Sequence, residues 1–304
     1  MGAGVLRHAD VRIQLRSSTL QTDCSEDFEL NLGITMRVPN MDNPENVSLS
    51  KCSEYLAWVG ALLLALSAAA SVAAELRIAH CLHGCPVGSS PENHLILRPI
   101  YALSYNTRNK VADWAAYRVT SGSIGIASSL SRQSLVDDFV EETLSESDFL
   151  DVEAIGLTRA QFVPLVNFAG TPYWREVNYM SNAVARSRNL SQGAWYGLEW
   201  SIRNLVNREN EVYVLTGPIF RETPVVANLE TIKPHRVPDA FFKIIVSSDD
   251  RATAFIFDQD LPVHVHHCDN RVSIEEIEEA TGLQFFPENP RLVSGALDAS
   301  LGCS

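Results

Sequence analysis

One run of the chain stands apart from the rest. From Tyr55 to Ala74 no side chain is charged, and apolar residues fill most positions. Elsewhere the apolar residues come in short patterned sets. Leu95 to Leu103 reads as one strand carrying a single charge, Arg98, and Asp113 to Val119 reads as its partner. Trp195, Leu198, Ile202, Leu205 and Val206 recur at three- and four-residue steps, which predicts a helix from Ser191 onward. Glu211 to Pro218 reads as a strand ending in a turn. Phe241–Ser247 and Ala252–Asp258 read as two more strands, joined by a polar turn at Asp249-Asp250. Ser273 then offers a side-chain cap to a helix with acidic residues in its first turn, and Gly282 closes it. Strands and helices mixed without a regular βαβ alternation predict an α+β fold. Residues 121–153 are rich first in serine and then in acids, from Asp137 to Glu153. They read as a solvated surface loop or short helix that repels a phosphate backbone.

The uncharged run changes the domain picture. Lys51 precedes it and Ser71-Val72-Ala73-Ala74 end it, as in a secretory signal peptide cleaved near Ala73. The run is also long enough for an uncleaved membrane anchor. The expected division is therefore a non-structural N-terminal extension at 1–46, a signal peptide (or anchor) at 47–74, and a folded domain at 75–304. After processing, a secreted or periplasmic protein with no stable membrane association is expected.

Composition adds two constraints. The chain has 304 residues, of which 46% are hydrophobic, enough for a sizeable core. Its formal net charge is −13, so its overall field does not draw in nucleic acid. Local arginine clusters can still hold phosphates. Of six cysteines, Cys24 and Cys52 fall in the extension and leader. Cys81, Cys85, Cys268 and Cys303 remain, an even set that reads as two disulfides in an oxidising compartment, with three connectivities open. A bridge between Cys268 and Cys303 would contribute about 3–4 kcal/mol by loop entropy. A zinc site from the same four is the rival, although their spacing lacks two close pairs.

The chemistry gathers in two segments. Thr158-Arg159-Ala160-Gln161 runs into Phe162-Val163-Pro164-Leu165. Leu190-Ser191-Gln192-Gly193-Ala194-Trp195 opens the helix that carries Glu199 and Arg203, four apart and so on one face. Other short segments flank them in order. They are Cys81-x-x-x-Cys85, the Arg98 strand, Asp113–Tyr117, Asn178–Asn182, Thr216-Gly217-Pro218, Val237-Pro238 before Phe241-Phe242-Lys243, Phe257-Asp258-Gln259, Cys268 and Cys303. Together they resemble the DNA/RNA non-specific endonuclease family, from about Cys81 to Cys303.

That resemblance implies a mixed αβα architecture with a central antiparallel sheet and a ββα-metal site, and Cys81–Cys85 and Cys268–Cys303 as the bridges. It implies Mg²⁺-dependent hydrolysis of phosphodiesters in DNA and RNA, by a protein that can be a homodimer. In the family a D-R-G-H histidine takes a proton from water. An asparagine on the helix holds the metal, a glutamate orients its waters, and arginines neutralise the phosphate. Arg98, Arg159, Glu199 and Arg203 stand at the family's positions. The histidine position holds Gln161, and the metal asparagine position holds Ser191. Thr158 and Ala160 replace the aspartate and glycine.

An amide has no proton-acceptor pKa near neutrality, and loss of a general base costs about 10²–10⁴-fold. A serine hydroxyl is a short, poor lone ligand for Mg²⁺. Reduced or lost hydrolysis is therefore expected, with Asn182 and Asn189 as candidate replacement ligands. The alternative product is a non-catalytic relative that binds nucleic acid, a nucleotide or a protein partner. Trp195 is expected in the core. His264, His266 and His267 read as an exposed loop or edge rather than a metal site.

Overall fold

The computed structural model describes residues 77–289 and 292–303, together with the backbone of two short strands. These two, β1 (Glu29–Leu30) and β2 (Ile34–Thr35), pair antiparallel within a unit spanning Met1–Ala74. The signal run expected at 47–74 and the rest of the 1–46 extension lie outside the described residues. The second unit spans Glu75–Ser304 and holds all that follows.

Its frame is an eight-stranded sheet. β3 (His94–Leu97), β4 (Ala102–Asn106), β5 (Val111–Thr120), β8 (Glu211–Ile219), β9 (Ala240–Val246), β10 (Arg251–Asp258) and β11 (Arg271–Val272) run antiparallel, each to its neighbour. β12 (Val293–Ser294) adds to β10 in parallel. A separate ladder, β6 (Leu157–Gln161) with β7 (Ala183–Ser187), lies off this path.

The central strands are apolar almost throughout because both faces of the sheet are covered. β9 shows the alternation. Phe241 and Ile245 join a core with Leu198, Ile202 and Leu205 of the long helix. Phe242, Ile244 and Val246 join a second core with Ile277, Phe285 and Phe286. The period of two puts Lys243 on the long-helix face. The helices are α1 (Arg188–Gln192), α2 (Ala194–Glu209) and α3 (Ile274–Thr281). With α2 on one face and α3 on the other, the layers are αβα, and β6–β7 running into α1 and α2 form a ββα unit. At Ser273 the capping box with Glu276 is complete, and Gly282 takes the left-handed conformation that ends α3. Both expected disulfides are present, Cys81–Cys85 and Cys268–Cys303, so the four cysteines make no zinc site.

Three expectations are corrected in detail. Leu95–Leu103 is a hairpin rather than one strand. Pro99 cannot donate to a ladder, and the Arg98 N–H closes the turn on the Tyr101 carbonyl at 2.8 Å. The acidic stretch is not all solvated. Asp137 is buried and accepts from Arg98 at 2.6 Å, from the Phe139 N–H at 3.1 Å and from the Ser181 hydroxyl. The helix expected from Ser191 starts at Arg188, capped by Ser187, and is broken at Gly193.

Only glycine fits at that break. A Cβ on Gly193 would lie 2.4 Å from the Val263 carbonyl oxygen and 2.9 Å from that of Asn189, both backbone atoms. Gly193→Ala is expected to lower stability by about 1–3 kcal/mol, as overpacking does, read as a shift in the denaturant midpoint. An unchanged midpoint would mean that the backbone at 193 is not held against Val263.

Candidate functional site

In the β6–β7 register, Thr158 faces Arg186 and Gln161 faces Ala183. The chain then turns through α1, which carries Ser191, into α2, which carries Trp195, Tyr196, Glu199 and Arg203. Arg159, Gln161, Arg186, Ser191, Glu199 and Arg203 thereby line one cleft of about 350 Å³, joined by Arg132 and Tyr196. Among the described residues lining it, Glu199 is the only carboxylate, four arginines are present, and no histidine is.

Glu199 is buried at the cleft floor. One of its oxygens accepts from the ammonium of Lys243, which reaches it from β9 and is itself fully buried. The other accepts from Asn167 Nδ2 at 3.4 Å and lies 4.0 Å from Arg203 Nη1. Burial pulls the Lys243 ammonium down to about 8, against the opposing attraction of Glu199. Trp195 is buried, as expected, packing edge-on against Phe241 and Phe257. Its ring also meets two cations, Lys243 Nζ at 4.0 Å and the Arg186 guanidinium at 4.1 Å.

Gln161 uses its amide as a donor. Nε2 donates to the Val177 carbonyl at 2.8 Å and to Asn178 Oδ1 at 3.2 Å. Ser191 accepts a hydrogen bond from Arg186 Nε at 3.1 Å. Arg186 is 6% exposed, and its Nη1 has no hydrogen-bond partner among the described residues. Burial lowers its pKa to about 9, with Glu199 opposing that shift. Arg159 is tied by Nη1 to Ser134 Oγ at 2.5 Å and by Nη2 to the Arg132 carbonyl at 3.0 Å, and it lies 3.5 Å from Glu146.

Arg98 does not line the cleft. It pairs with Asp137, and its guanidinium lies over the rings of Phe139 at 4.3 Å and Tyr179 at 3.9 Å. Tyr179 does line the cleft, so Arg98 braces a wall of it. Neither candidate replacement ligand is placed for the task. Asn182 is fully buried and ties the chain just past β6 to the turn at 174–178, bonding Val163 N, Val163 O and Val177 O. Asn189 is exposed and outside the cleft lining. Beyond the cleft, His266, His267 and Cys268 bring ligand atoms within 4.8 Å of one another. The Cys268 sulfur is spent in its disulfide, and His267 Nε2 is bonded to the Leu301 carbonyl. His264 stands outside this group.

Sequence reading missed Arg186, Lys243, Arg132 and Tyr196 as members of the site. Two of them carry a signal after the fact. Arg186 ends the apolar run Ala183-Val184-Ala185, and Lys243 sits inside Phe241–Val246. A charge in a strand covered on both faces needs a buried partner.

A family model described as DNA/RNA non-specific endonuclease matches residues 80–292. The nuclease of Serratia marcescens is 34% identical over 253 residues, covering 80% of this chain and 93% of that protein. Nuclease C1 of Cunninghamella echinulata var. echinulata is 27% identical, covering 68% of this chain and 88% of that protein. The crystal structure of an EndoG/EndoGI complex superposes with a TM-score of 0.59 at 23% identity, covering 70% of this chain and 92% of that one, a likeness of fold.

The Glu199–Lys243 pair gives a stability prediction. Lys243→Met strands a buried carboxylate and is expected to cost about 3–5 kcal/mol. The double variant Lys243→Met/Glu199→Gln removes both charges and should recover most of that loss. Chemical denaturation of the four species measures the coupling. Additive losses would mean that the pair is not coupled.

Proposed function

The chain belongs to the DNA/RNA non-specific endonuclease family, and on that footing we propose that it binds the phosphodiester backbone of DNA and RNA in its arginine-lined cleft, with hydrolysis reduced or lost. The observation that carries this reading is the lining itself. Arg132, Arg159, Arg186 and Arg203 face a space with one carboxylate and no histidine among the described residues. The Gln161 amide spends its N–H donors on Val177 and Asn178, so it keeps only an acceptor oxygen and takes no proton from water. All four arginines are placed to meet phosphate oxygens, because all four line the cleft. Arg98 acts through the wall it braces.

Nucleases of this family are in general metal-dependent. The donor set here does not suit Mg²⁺, which wants near-octahedral oxygen ligands. The Ser191 oxygen is already an acceptor for Arg186, and both Glu199 oxygens are engaged by Lys243, Asn167 and Arg203. The guanidinium beside Ser191 also opposes a second cation. Two unit charges 4 Å apart repel by about 4 kcal/mol at an effective dielectric of 20, and a divalent ion doubles that. No step through a metal is drawn for this chain.

The cleft continues onto an aromatic surface. Tyr196 and Trp200 are each 57% exposed and four residues apart on α2, with Tyr196 in the cleft lining. Such rings stack on unpaired bases, which favours single strands over duplex. The two disulfides suit an oxidising compartment. With the uncharged run at 55–74, they support a secreted or periplasmic location.

Fluorescence anisotropy with a labelled single-stranded oligonucleotide tests the proposal. With four arginines at about −0.7 each, log affinity should fall with log salt at a slope of about −3. Tyr196→Ala/Trp200→Ala should weaken binding by about tenfold or more. Incubation of plasmid DNA or RNA with Mg²⁺ should give little or no product. Mg²⁺-dependent cleavage abolished by Glu199→Ala would overturn the reading in favour of a working nuclease.

A further inference from the structure

We propose that Arg186 is a built-in cation that anchors one phosphate group in the cleft without a divalent ion. This rests on the reading that the cleft takes a phosphate-bearing ligand. Three observations converge on Arg186. Its side chain is buried yet lines the cleft. Its Nε is fixed on Ser191 Oγ at 3.1 Å, and its plane lies against the Trp195 ring at 4.1 Å, so the guanidinium has little freedom to turn. Its Nη1 has no hydrogen-bond partner among the described residues, and no carboxylate forms an ion pair with it within 4.0 Å among them.

Glu199, the carboxylate that could neutralise it, is committed to Lys243. A buried guanidinium with a donor to spare and no carboxylate in ion-pair contact among the described residues is therefore a site for an anion. The fork of N–H groups on arginine matches two oxygens of a tetrahedral phosphate. Ser191 plays a positioning part: its hydroxyl accepts from Nε and so leaves the Nη groups for a ligand. The replacement at position 191 and the cation at position 186 are then one change. A residue that would hold a metal becomes one that orients a guanidinium, and the positive charge is supplied by the chain itself. The ligand is a phosphate group, either within a polynucleotide or free.

The test uses the full processed protein with excess EDTA, and again with Mg²⁺ at matched ionic strength. Inorganic phosphate is titrated by calorimetry and by thermal stabilisation, and a single-stranded oligonucleotide is titrated in parallel. Phosphate should bind and stabilise equally with EDTA and with Mg²⁺. Arg186→Gln should weaken phosphate binding by about tenfold or more, the worth of a hydrogen bond to a charged group. Arg186→Lys, which keeps the charge but loses the fork, should fall between. If Arg186→Gln does not fold, the EDTA comparison on the unaltered protein and the Arg186→Lys titration still decide. Phosphate binding that needs Mg²⁺, no phosphate binding at all, or binding unaffected by the Arg186 variants would overturn the proposal. Phosphate binding with no oligonucleotide binding would leave the anchor standing and overturn the polynucleotide reading instead.

Discussion

A carboxylate buried against a sheet must be paired, hydrogen-bonded or protonated, and Glu199 is met there by the ammonium of Lys243. This contact joins the long helix to β9 across the interior. It fixes the height of α2 over the sheet, and with it the positions of Trp195, Tyr196 and Arg203. It also decides the electrostatics of the cleft. With its charge answered from below by Lys243, Glu199 has little left to offer a ligand from above. The arginines then set the sign of the cleft, although the chain as a whole is strongly acidic.

Arg186 follows from the same arrangement. Its guanidinium shares the Trp195 ring with Lys243, and its own hydrogen bond goes to Ser191 rather than to a carboxylate. On the proposed reading, the positive charge that meets a phosphate beside Ser191 is carried by a side chain on β7. Gln161 fits that picture, because its amide is turned toward Val177 and Asn178 as a donor. The three positions 161, 186 and 191 have a common consequence. They suit holding a phosphate more than activating water against it.

The frame of the protein was readable from pattern because it rests on local rules. The period of two in Phe241–Val246, the helical spacing from Trp195 to Val206 and the Ser273 cap each point to one element, and each is there. What pattern missed came from one local signal passed over, Pro99, and otherwise from tertiary contact. Pro99 turned one expected strand into a hairpin. The break at Gly193 lies close against the Val263 carbonyl, an approach that no local signal announces. Asp137 went into the core, inside a stretch that reads as solvated, because Arg98 waits for it there. The family positions of Arg159, Gln161, Ser191, Glu199 and Arg203 were visible by resemblance, and all five line one cleft. Arg186 was not visible, because a cation at the end of an apolar run reads as a surface residue until the helix that covers it is in place.

On the proposal that Arg186 anchors a phosphate, its guanidinium supplies the charge beside Ser191 and opposes a divalent ion there. The most direct measurement is Mg²⁺-dependent plasmid cleavage in a background restored at the other two positions, with and without Arg186. Gln161→His/Ser191→Asn is expected to stay inactive, since the buried guanidinium still opposes a divalent ion, and adding Arg186→Gln is expected to bring cleavage up. Equal cleavage by the double and triple variants would contradict the proposal, and would show that Arg186 leaves room for the metal after all.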